Sequence, residues 1–170
     1  TGVTSLSEVA RNALYWRKRS PSNWVSESPL EKNVPAVASG ALLALSFPTF
    51  GHPAFGWIAL APLLVSLATG RRLSLMRAFN LGLITGLVFF AATLYWITNV
   101  MALHGGLPMP VALLVNALLV AYLSLFPALF AVVVRRLRTA FGVRALMSVP
   151  FVWVATELGR THLFTGFPWV

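Results

Sequence analysis

The chain has no cysteine and no aspartate, and only four glutamates among its 170 residues. Without cysteine its residues form no disulfide, no thiolate metal site and no thiol nucleophile. Three of the four glutamates (Glu8, Glu27, Glu31) lie near the start, so no two later carboxylates can share a proton. There is no Gly-rich phosphate loop and no Ser/His/Asp set. Charge of either sign is scarce. It makes up 10% of the residues, where a soluble domain carries ~25%. From Ala78 to Val134 there is none, over 57 residues bounded by Arg77 and by Arg135-Arg136. A membrane-crossing helix takes ~20 apolar residues. The run holds two such helices and a turn, visible at His104-Gly105-Gly106-Leu107-Pro108-Met109-Pro110.

What is present is apolar. The chain is 58% hydrophobic with a mean hydropathy of +0.78, more than a soluble domain of this length can bury. The net charge of +9 raises the question of nucleic acid. The basic residues, however, sit in short clusters between apolar runs, which is how membrane proteins set their topology. No nucleic-acid partner is expected. The fold class expected is all-α: a polytopic transmembrane helix bundle of about five spans, behind a short basic N-terminal tail.

That tail is residues 1–33, with five basic residues (Arg11, Arg17, Lys18, Arg19, Lys32) and a Ser/Pro-rich stretch. Ser5 and Glu8 have capping-box spacing. Leu6, Val9, Ala10, Ala13 and Leu14 then share a helical face. The tail reads equally as an amphipathic helix on anionic lipid or as a disordered basic segment. It is not a signal peptide, because no apolar stretch separates a basic cluster from a cleavage site. The transmembrane domain is expected over 34–170, with spans at about 34–49, 55–70, 78–102, 109–134 and 143–160. The start at Thr1 and the end at Val170 lead to the expectation that the chain is a fragment.

Orientation follows from lysine and arginine. Alternating the spans puts twelve basic residues on one face, expected to be cytoplasmic, and Arg160 alone on the other. Ala78, Gly82 and Gly86 are spaced four apart and predict close helix packing. Pro62 and Pro127 predict kinks. Asn99, Asn116, Ser124 and Thr85 are expected to hydrogen-bond between helices.

Few residues could carry chemistry. Glu157 and Arg160, three apart on a helix, share a face. They either hold a polar headgroup or orient the loop that follows, or they form a salt bridge that locks the end of the last span. His52, His104 and His162 lack ligand-pair spacing, so no metal site is expected.

Several stretches, taken in order, resemble the membrane part of apolipoprotein N-acyltransferase. They are Leu45-Ser46-Phe47-Pro48-Thr49-Phe50-Gly51, Trp57-Ile58-Ala59-Leu60-Ala61-Pro62-Leu63, and Gly82-x-x-x-Gly86 leading to Leu94-Tyr95-Trp96-Ile97. Gly105-Gly106-Leu107-Pro108 and Ala121-Tyr122-Leu123-Ser124-Leu125-Phe126 follow. The set closes with Trp153-Val154-Ala155-Thr156-Glu157-Leu158-Gly159-Arg160 and Phe164-Thr165-Gly166-Phe167-Pro168-Trp169. At Gly159 the family pattern often has a bulkier residue. The resemblance covers about residues 40–170.

It implies a bacterial inner-membrane, multi-pass enzyme with a cytoplasmic N-terminus and a periplasmic C-terminal segment here. The whole family protein carries a periplasmic nitrilase-like domain whose Glu–Lys–Cys set forms a thioester. The partners implied are a phospholipid acyl donor and a diacylated apolipoprotein acceptor, with no cofactor. No catalytic residue carries over. The chain has no cysteine, and its only lysines are Lys18 and Lys32. The residues placed at a lipid and substrate mouth are Tyr95, Trp96, Glu157, Arg160, Thr165, Phe167 and Trp169. The fragment is expected to be inactive alone. Two other readings stand beside this one: a small multipass transporter or channel subunit, and a non-catalytic membrane module from a truncated gene.

Overall fold

The computed structural model describes residues 31–47, 51–52, 54–69 and 73–162. The chain divides into two compact units, residues 1–32 and 33–170, and nearly all the described residues belong to the second. The tail's capping box and its apolar face, with Arg71 and Arg72, lie outside the described residues.

Helices account for the second unit, and no strand occurs among the described residues. In chain order they are α1 (Val34–Leu45), α2 (Phe55–Ile58), α3 (Ala61–Thr69), α4 (Leu75–Thr93), α5 (Tyr95–Leu103) and α6 (Met109–Phe141). A 3-10 stretch, Gly142–Ser148, leads to α7 (Val149–His162). Proline marks the starts. Pro35, Pro62, Pro110 and Pro150 each stand second in a helix. A helix's first N–H groups have no internal partner, so proline loses nothing there. Pro62 follows directly on the two-residue interruption between α2 and α3 within the apolar stretch Phe55–Thr69. Pro127 does lie inside a helix, α6, and is buried.

Two continuous runs are long and apolar enough to cross a membrane: Leu75–Thr93, and Met109–His162 through α6 and α7. At ~1.5 Å per residue α6 is about 50 Å long, against ~30 Å of bilayer hydrocarbon. Helix α6 runs past Val134 and carries Arg135, Arg136 and Arg138 on its last turns. It ends where Gly142 takes a φ of +66°, a conformation that favours glycine. The apolar residues of α6 do not all face the core. Leu113, Leu114 and Leu118 are more than half exposed. A contiguous apolar face of that kind belongs against lipid or another helix.

The bundle is built on α4. Its most extensive contact is with α6, followed by α1. Gly82 and Gly86 face α6: a Cβ on Gly82 would lie 2.3 Å from the Pro127 carbonyl, and one on Gly86 2.7 Å from Ser124 Cα. Ala78 is fully buried beside Ala131 and Val134. Small residues thus let the α4 and α6 backbones meet, the usual basis of helix association in lipid. On the other side of α4, Thr85 Oγ1 lies 3.1 Å from the Ala36 carbonyl of α1. Trp153 of α7 packs edge-on against Phe130 of α6, with ring centroids 5.1 Å apart.

Two polar contacts tie helix ends to distant segments. Ser39 Oγ on α1 accepts from Leu63 N, an otherwise unpaired donor in the first turn of α3, at 2.9 Å. Arg135 is buried, and donates from Nε to Leu73 O at 3.0 Å and from Nη1 to Leu67 O at 3.2 Å. Leu67 is in the last turn of α3, so its carbonyl has no helical donor. In the sequence Arg135 opens one of the basic clusters that border the charge-free run. In the structure it is a clamp between α6 and the α3–α4 connection.

Candidate functional site

The expected span over 78–102 breaks at Leu94. Thr93, Tyr95, Trp96, Ile97 and Thr98 are β-branched or aromatic and hold a helix less well than straight side chains. Leu94 takes φ −105° and ψ 8°, outside the helical region. Its carbonyl accepts from Ile97 N at 3.1 Å and from Asn116 Nδ2 of α6 at 3.3 Å. Asn116 Nδ2 also donates to Thr98 Oγ1 at 2.9 Å. Thr98 is the one buried residue of α5. A single amide on α6 therefore holds the break residue and the first turn of α5 after it. Just past the break, Tyr95 and Trp96 stand about half exposed.

The same level of the bundle receives the end of α7. Arg160 is 8% exposed. Its Nη2 bonds Glu157 Oε2 at 2.5 Å, one helical turn back. Its guanidinium carbon lies 5.6 Å from the ring centre of Phe90, a cation–π contact. Phe90 is buried, its ring tilted against that of Phe89 with centroids 4.7 Å apart, and sits one turn before Leu94. The Arg160 Nε and Nη1 atoms are buried with no hydrogen-bond partner among the described residues. Glu157 is partly exposed, its side chain at 34%.

Glu157 and Arg160 are thus in direct contact, and the Phe90 ring joins them to the turn that precedes Tyr95 and Trp96. Thr165, Phe167 and Trp169 lie outside the described residues. Phe90 carried no signal in the sequence, since one phenylalanine among twelve is unremarkable. Asn116 did carry one: it is the one side-chain amide of the long apolar helix α6. Among the described residues no three His, Cys, Asp or Glu come together as a metal site would need.

A second feature lies between α1 and α2–α3. It is a groove of about 560 Å³ lined by residues such as Val34, Ala38, Leu42, Ile58, Pro62 and Val65. Its walls are almost wholly apolar, so it can hold hydrocarbon but cannot bind a charged headgroup. Any polar recognition among these features falls to the Glu157–Arg160 end of α7.

The structure defines an all-helical bundle with membrane-length helices and a buried arginine beside a broken, aromatic-bearing helix. Residues 39–170 match the family described as the apolipoprotein N-acyltransferase N-terminal domain. The chain belongs to that family. An apolipoprotein N-acyltransferase of Geobacter metallireducens is 51% identical over 134 residues, covering 79% of this chain and 25% of the relative. One from Pasteurella multocida is 32% identical over 136 residues, with the same coverage of each chain. One from Chromobacterium violaceum is 33% identical over 150 residues, covering 88% of this chain and 29% of the relative. The chain spans about a quarter of the length of the curated relatives it matches.

Proposed function

We propose that the chain is the membrane-embedded N-terminal part of an apolipoprotein N-acyltransferase. The parent moves an acyl chain from a phospholipid to the α-amino group of the diacylglyceryl-cysteine of a lipoprotein. The observation that carries this reading is the family match over 39–170. It coincides with the part of the chain whose helices are nearly free of charge.

In this proposal α1, α2–α3, α4–α5, α6 and α7 make five crossings of the bacterial inner membrane. Residues 1–33 form a cytoplasmic tail, and the basic segment 71–77 and the basic end of α6 lie on the same side. The turn between α5 and α6, and the segment after α7, are periplasmic. Tyr95, Trp96, Glu157 and Arg160, with Thr165, Phe167 and Trp169, line a mouth open to the bilayer. The chain has no cysteine to form a thioester. Its part in the reaction is to admit and hold lipid. Exposed apolar helix faces and half-exposed aromatics accept acyl chains and the interface, and the Glu157–Arg160 pair supplies the polar contact.

Acyl transfer tests the reading. The protein translated from the same reading frame extended through a nitrilase-like segment is given phospholipid and a diacylated lipopeptide. It converts the lipopeptide to an N-acylated product, seen as a mass increase of one acyl group. The 170-residue chain does not. Turnover by the chain alone, or none by the extended protein, contradicts the assignment.

A further inference from the structure

We propose that Arg160 is a lipid-phosphate site, its guanidinium receiving the phosphodiester of a phospholipid seated beside the α4–α5 break. The inference rests on the membrane reading above and is independent of acyl transfer.

An arginine carries five N–H donors in a planar fork and stays charged. Arg160 is more than nine-tenths buried and uses one nitrogen, Nη2, on Glu157. Nε and Nη1 are buried without a hydrogen-bond partner among the described residues. Buried donors on a cation are costly to leave unpaired. The Phe90 ring lies 5.6 Å from the guanidinium carbon, and a cation–π contact uses no N–H donor, so it leaves Nε and Nη1 without a partner. The unmet donors are therefore the in-plane ones, which recognise oxyanions.

Charge selects among oxyanions. Glu157 already contributes one negative charge beside Arg160. A phosphodiester adds only one more and presents two free oxygens. A phosphate dianion would bring two charges against that carboxylate. The surroundings select the source. Tyr95 and Trp96 are half exposed just past the Phe90 turn, and α6 shows an apolar face. Acyl chains attached to the phosphate find apolar partners there, whereas free phosphate finds none. Burial of Arg160 also excludes a nonspecific surface attraction, since exposed cations are screened by salt and buried ones much less.

The test uses the full chain in detergent. Binding is read as bound-lipid stoichiometry by native mass spectrometry across a lipid titration. The probes are phosphatidylglycerol, diacylglycerol with the same acyl chains, and inorganic phosphate as competitor. The wild type binds phosphatidylglycerol about tenfold or more tightly than diacylglycerol, the ratio expected from charge-assisted hydrogen bonds. Arg160→Gln abolishes that preference, and Arg160→Lys restores part of it. Glu157→Gln removes the competing carboxylate and strengthens phosphatidylglycerol binding. A variant that merely unfolds cannot produce that gain. Equal binding of the two lipids, or a preference that survives Arg160→Gln, overturns the proposal. So does weaker binding in Glu157→Gln. Displacement of the lipid by millimolar inorganic phosphate assigns the site to free phosphate and also overturns it. A wild type without the preference, but with acyl transfer intact in the extended protein, removes this site and leaves the enzyme assignment standing. Preference without acyl transfer does the reverse.

Discussion

Replacing Gly82 by alanine adds one methyl group where α4 crosses α6. The new Cβ would lie 2.3 Å from Pro127 O, 2.7 Å from Ala128 Cα and 2.8 Å from Ala131 Cβ, where ordinary contact begins at 3.4 Å. The shortfall to the carbonyl is about 1 Å, and two of the three atoms are backbone that no rotamer change can move. Forcing the helices apart costs ~1–3 kcal/mol, the usual range for overpacking. Alanine's better helix propensity returns up to ~1 kcal/mol. The net effect predicted is a loss of ~0–3 kcal/mol. Gly159 is the internal control. A Cβ there meets nothing within 4 Å, so only the propensity gain of up to ~1 kcal/mol acts. Reversible unfolding in mixed detergent micelles measures both. Gly82→Ala lowers the unfolding midpoint relative to the wild type, and Gly159→Ala holds or raises it. If the two variants shift together by the same amount, the close α4–α6 approach is not what holds the bundle. The packing argument then fails.

Arg135→Gln leaves the carbonyls of Leu67 and Leu73 without their charged donor. It should lower stability by ~1.5–3 kcal/mol, the range for hydrogen bonds to charged groups. The same micelle unfolding measures this, and a change within error places the clamp outside the folded state's needs. Asn116→Leu removes the donor that holds Leu94 O and Thr98 Oγ1. The expected loss is ~0.6–1.7 kcal/mol, as for interhelical hydrogen bonds in membranes. A spin label at position 96 should gain mobility in that variant. Unchanged label mobility would show that the break at Leu94 holds without the amide.

Helix content and its apolar character were legible because charge-free runs of this length leave few alternatives. The stripe of Ala78, Gly82 and Gly86 was legible for a related reason: a four-residue spacing puts small side chains on one face. The break at Leu94 was not. It depends on Asn116, 22 residues away along the chain, reaching a carbonyl that only the folded bundle brings near. The burial of Arg135 was not legible either. It borders a charge-free run like any topology signal, and only the fold shows it buried on Leu67 and Leu73. The end of α6 was hidden for another reason. A helix need not stop at the edge of its apolar run, and this one continues until Gly142. In the site, Glu157 and Arg160 were visible as a lone pair of opposite charges. The Phe90 ring beneath them was not, because nothing distinguishes one apolar aromatic from another before packing.

In the proposed topology α6 crosses the inner membrane with its basic end inside. Because the chain has no cysteine, one introduced thiol reports a single place. Leu107→Cys marks the turn before α6 and Thr139→Cys its last turn, and both positions are exposed in the fold. A membrane-impermeant maleimide added to intact spheroplasts should label position 107. It should reach position 139 only after the membrane is opened. Labelling of both from outside, or of 139 alone, would contradict the account.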